Sequence, residues 1–159
     1  GGPVNVPFWS FAVIAAGAAG CIVGGLVSVR WGSANVAFAQ LLASAICCLL
    51  SPLAFLMPFP AVLAFLMVWG IVVVGDSPQF SALNARYAPP GWVGSSLTIV
   101  NGIGFAITIV SIQLLKSILG TIGVQYLFLL LIPGPVLGLM ALRRLVPETP
   151  SPSARELGR

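Results

Sequence analysis

Asp76 is the only aspartate in this 159-residue chain, and it closes a run from Trp31 to Gly75 that carries no charge. A carboxylate so placed can pair with a cation, carry a proton, or hold a polar solute. Arg30, the last charge before that run, is the cation expected to meet it. The simplest assignment is a structural ion pair, with proton coupling or solute binding as the alternative. A second polar group follows. Thr98, Asn101, Thr108 and Ser111 recur with Gly94 and Gly104 at spacings of three and four residues. On a helix these share one face, while Ile99, Ile103, Ile107 and Val110 take the opposite side. Such a stripe faces either a neighbouring helix or water.

Other chemistry is not expected. The chain has no His, no carboxylate pair, no Ser/His arrangement, no GxxxxGK[ST] loop and no Rossmann unit, so it does not read as an enzyme. Cys21, Cys47 and Cys48 sit in apolar runs without CxxC spacing. They read as small buried hydrophobes, with no metal and no cofactor expected.

The elements that position these residues follow from composition. Hydrophobic residues make up 58% of the chain and charged ones 6%, with mean hydropathy +1.09. A soluble domain carries about 25% charged residues, so the chain reads as an all-α integral membrane protein. A crossing needs roughly 20 apolar residues. Five spans are expected, over 8–27, 36–56, 61–83, 93–115 and 122–142. "MPFP", Met57–Pro60, separates the second from the third, because prolines remove donors and fix the backbone. Pro78 is expected to kink the third span and release carbonyls that Ser77 or Ser81 would satisfy. "KSILGTIG", Lys116–Gly123, reads as a turn, and Pro133 and Pro135 as a kink in the last span. Residues 1–145 form the bundle and 146–159 a flexible polar tail. Gly20 with Gly24, and Gly134 with Gly138, are small-xxx-small pairs suited to close helix approach.

Five crossings place the ends on opposite faces. Arg30, Arg86, Arg143 and Arg144 then share one face, and Lys116 lies on the other. The positive-inside tendency makes the arginine face and the tail cytoplasmic, and Gly1 external. The net charge of +4 is explained by these span ends, so no nucleic-acid partner is expected. A strand-built barrel needs apolar–polar alternation, which "LLASAICCLL" and "YLFLLLI" lack. The opening at Gly1, without Met or a basic leader, reads as a piece of something longer.

The loop "GGLVSVRWGSANVAF" resembles the signature of the major facilitator superfamily, a glycine, an acidic residue, then Arg-x-Gly and a basic residue. Gly25, Arg30 and Gly32 match it, whereas Val29 and Ser33 replace the acidic and basic positions. "GDSPQFSAL" with "APP", and "LIPGPVLGLMALRRL", are similar to the tenth and twelfth helices of that family and their flanks.

The resemblance implies helices eight to twelve of a twelve-helix bundle, in which a solute binds near the midplane between two halves. It further implies a substrate cavity lined by Thr98, Asn101, Gly104, Thr108 and Ser111, with Asn101 nearest the midplane. Gly25, Arg30, Gly32 and Asp76 would form a cytoplasmic gate. Gln40 and Ser44 would fall on a peripheral helix, and Gln113 and Lys116 at the outer end. The expected function is secondary transport of a small solute by alternating access, with a coupling proton or ion as a further partner. The partners would be the bilayer and the N-terminal helices of the same transporter, in a plasma membrane of the bacterial inner-membrane kind. The competing reading is a non-transporting membrane subunit or truncated product that only packs against partner helices.

Overall fold

In the computed structural model, which describes residues 5–120 and 122–146, every regular element is a helix. The elements are α1 (Val6–Trp31), α2 (Ser33–Ala54), α3 (Phe59–Gly75), α4 (Ser77–Tyr87), α5 (Val93–Ile118), α6 (Val124–Leu127), a 3₁₀ turn (Phe128–Leu131) and α7 (Pro133–Leu142). Five segments are long and apolar enough to cross a membrane: Val6–Trp31, Ser33–Ala54, Phe59–Tyr87, Val93–Ile118 and Gln125–Leu142. This is a multi-pass, membrane-embedded, all-α protein.

Local chemistry sets the boundaries. Asn5 caps α1, its side chain accepting from the Phe8 amide at 3.2 Å. Gly32 ends α1 with φ 83°, a conformation that glycine adopts without penalty, and its amide donates to Ser28 at 2.9 Å. Pro58, extended at ψ 151°, precedes α3, and Pro60 falls in its first turn, so "MPFP" divides the two spans as expected.

Three boundaries differ from the sequence expectation. The third span is two helices, because α3 stops at Gly75 and α4 restarts at Ser77 around Pro78, which has no amide hydrogen. The fifth span is broken into α6, a 3₁₀ turn and α7, the last starting at Pro133 for the same reason. Lys116 belongs to α5, which runs to Ile118, so the turn starts later than expected. Leu145 and Val146, at the expected boundary between bundle and tail, pack on the core. The tail beyond Val146 and the opening at Gly1 lie outside the described residues.

Helices α1 and α3 approach most closely. Gly17, Gly20 and Gly24 are the buried residues of α1. A methyl on Gly20 would collide with the Ile71 carbonyl, and one on Gly70 would come within 2.7 Å of the Val13 carbonyl. In the second glycine pair only Gly138 is an approach point, against the Leu41 side chain; Gly134 faces open space.

The core joins the start of α2 (Ala34, Ala37, Leu41), the end of α4 (Leu83) and the end of α7 (Leu142). At the other end Phe128 stacks on Phe55 at 5.6 Å and meets Trp69 edge-on at 5.0 Å. Trp9 meets Phe59 there at 6.4 Å. Consecutive spans therefore alternate in direction, and the arginine-bearing ends of α1, α4 and α7 gather on one side.

Candidate functional site

The polar residues fall into three groups. The first surrounds the break in the third span. A regular helix would bond the amide of residue 78 to the carbonyl of Val74, but Pro78 has no hydrogen to give. The Cys21 thiol of α1 donates to that carbonyl instead, at 3.3 Å. The expectation that Ser77 or Ser81 would serve it is therefore corrected. Pro52 has the same effect inside α2, and there the Ser51 hydroxyl donates to the Cys48 carbonyl at 2.8 Å.

Asp76 sits half-buried at the break and accepts a 3.4 Å hydrogen bond from the neighbouring Ser77 hydroxyl. Arg30 is exposed in the last turn of α1. Among the described residues the expected ion pair between Asp76 and Arg30 is not formed. Of the other loop-motif residues, Gly32 has a conformational reason in its positive φ, whereas Gly25 faces open space.

The second group is the α5 stripe. Thr98 and Thr108 donate their hydroxyls to carbonyls of their own helix, Gly94 and Gly104, at 3.0 and 2.9 Å. Asn101 and Gly104 are exposed and Ser111 is half-exposed. The opposite side is equally open, with Ile99 and Ile107 each 62% exposed, and α5 has no buried residue. Its hydrogen-bonded tie to the bundle runs from the Ser96 hydroxyl to Asn84 Oδ1 of α4, 2.8 Å. The structure thus brings the stripe together on one helix, but among the described residues it sets no second element against it.

The third group was undervalued in the sequence. Gln79, on α4, is only 2% exposed and is the largest fully buried side chain among the described residues. Its amide nitrogen lies close to Gly24 of α1, as does that of Gln40 of α2. One turn along α2, Ser44 is buried and accepts from the Trp69 indole at 3.5 Å. Gln40 and Ser44 were expected on a peripheral helix; here they point into the bundle. The available signal was the glycine at Gly75, four residues before Gln79, which clears room for an amide from a neighbouring helix.

An apolar groove of about 490 Å³ runs between α1, α3 and the last span, with Val13, Leu66, Trp69, Val73, Phe128 and Leu131 among its walls. Among the described residues no group of three His, Cys, Asp or Glu side chains could hold a metal ion. No family model, curated protein or solved structure matches this chain.

Proposed function

We propose that this chain is part of a secondary transporter that moves a small, neutral solute across a membrane by alternating access. One observation carries the reading: a membrane span broken at Gly75–Asp76, with a carboxylate at the break and two amides, Gln40 and Gln79, turned inward beside it. Broken spans expose backbone and polar groups at membrane depth, which is useful where a solute or ion must be held and released. The resemblance of Gly25, Arg30 and Gly32 to the major facilitator loop supports the same class. In that reading the chain supplies helices eight to twelve, its partners are the N-terminal helices, and the arginine ends and tail are cytoplasmic. The α5 stripe, with Asn101 at its centre, completes the solute path, while Asp76 and Arg30 act on the cytoplasmic side.

The experiment has two parts. The coding sequence upstream is read for further spans in frame, of which seven are expected from the twelve-helix plan. The 159-residue chain is also reconstituted alone in liposomes with a panel of labelled neutral solutes, and no saturable uptake is expected. Saturable uptake by the five spans, or an upstream sequence without spans, overturns the reading.

A second reading is a non-transporting subunit that packs against partner helices. It is favoured by α5, which has no buried residue and leaves its isoleucines, Ile99, Ile103 and Ile107, exposed. Under it, partner helices would bury Thr98, Asn101 and Thr108 away from water.

A further inference from the structure

Gln40 and Gln79 converge on one spot from different helices. The Gln40 amide nitrogen lies 2.8 Å from where a Cβ on Gly24 would sit and 2.5 Å from the same point on Gly75. The Gln79 amide nitrogen lies 3.5 Å from the Gly24 position. Glycines on α1 and α3 are what leave room for both amides. The carbonyl oxygen of Gln40 is buried there without a hydrogen-bond partner. An acceptor stripped of water and left unpaired is unfavourable, so a donor belongs at that point.

The chemistry of the donor can be narrowed. The oxygen and nitrogen of a glutamine amide can exchange places by a half-turn, which would leave a donor unpaired instead. A metal ion or an ammonium answers only the oxygen, and a carboxylate only the nitrogen. A hydroxyl donates and accepts, so it answers either orientation.

We propose that Gln40 and Gln79 form an internal site for a hydroxyl group, supplied either by a buried water molecule or by a transported solute. Buried waters occupy polar spots of this kind in globular proteins. The solute source rests on the transporter reading, whereas the water source does not.

The test uses the whole chain in detergent with ¹⁵N-labelled glutamine. There are four glutamines, Gln40, Gln79, Gln113 and Gln125. Gln113→Asn and Gln125→Asn assign the other two by elimination, so assignment does not require altering the site. The expected result is long-lived magnetisation transfer from water to the side-chain amides of Gln40 and Gln79, and only fast exchange at the exposed Gln113. Glycerol then serves as the hydroxyl probe. Transfer that passes from water to glycerol as glycerol is added indicates the solute source; transfer that stays with water indicates the water source. Gln40→Met, similar in shape but unable to bind a hydroxyl, should lower the thermal midpoint. Absence of long-lived contact with either water or glycerol overturns the site. A Gln40→Met midpoint above that of the unsubstituted chain overturns it too, because that is the sign of an acceptor that had no partner. Neither readout depends on transport, so failure here is distinct from failure of the transporter reading.

Discussion

The Cys21 thiol donates to the carbonyl oxygen of Val74 at 3.3 Å, the acceptor that Pro78 leaves open four residues further along. The contact ties α1 to α3 where the third span breaks. A thiol is a weak donor, so Cys21→Ala should cost stability at the low end of the range of about 0.5–1.5 kcal/mol for a neutral hydrogen bond. Cys21→Ser, which keeps a donor, should cost less. Pro78→Ala restores a backbone amide to Val74, and in that background Cys21→Ala should be close to silent. Thermal midpoints in detergent for this cycle check the relationship; equal losses with and without Pro78 would refute it.

The close approach of α1 and α3 predicts a larger effect. Gly20→Ala places a methyl against the Ile71 carbonyl, which is backbone and cannot swing away. Overpacking of this kind costs about 1–3 kcal/mol. Gly25→Ala, on the same helix but with open space around it, is the control and should be nearly neutral. Comparable midpoints for the two variants would mean the helices are not in contact at Gly20.

Much of this fold was legible in the sequence. Apolar run length located all five spans, and "MPFP" located the turn between the second and third, because those features act through neighbouring residues. Gly20 and Gly24 could likewise be read as approach points. What was not legible depends on separation along the chain. Pro78 announces a freed carbonyl, but its donor, Cys21, lies 53 residues from Val74, and no local pattern links them. Gln79 is buried because Gly24 and Gly75 make room for amides from two helices, which no single helical face reveals. The stripe on α5 was legible as a stripe, but among the described residues no second element is set against it to show what it faces.

Asp76 and Arg30 yield a third prediction, in which the structure departs from the expected pair. Asp76 takes its hydrogen bond from Ser77, and Arg30 is exposed. Their effects on stability should therefore be independent in this chain. Asp76→Asn and Arg30→Gln, alone and together, should give unfolding free energies that add to within about 0.3–0.5 kcal/mol. A coupling larger than that would show that the pair forms in the membrane.

The last prediction concerns α5 within the longer transporter that the proposed function implies. Both sides of the helix are open here, so sequence chemistry decides which side meets water: Thr98, Asn101 and Thr108 offer hydrogen-bonding groups, and Ile99, Ile103 and Ile107 do not. Single cysteines at Thr98, Asn101, Gly104 and Thr108 should react with a small hydrophilic thiol reagent, and cysteines at the three isoleucines should not. Thr98 and Thr108 already donate to their own helix, to Gly94 and Gly104, so neither needs a solute to satisfy its hydroxyl hydrogen. Asn101 is the stripe residue whose carboxamide offers two donors and an acceptor at the centre of the stripe, and substrate should protect position 101 most. Asn101→Ala should leave the protein folded and raise the apparent KM by roughly twofold to tenfold, the equivalent of one neutral hydrogen bond of about 0.5–1.5 kcal/mol. Labelling without a helical period, or unchanged kinetics for Asn101→Ala, would assign the stripe to contacts between helices.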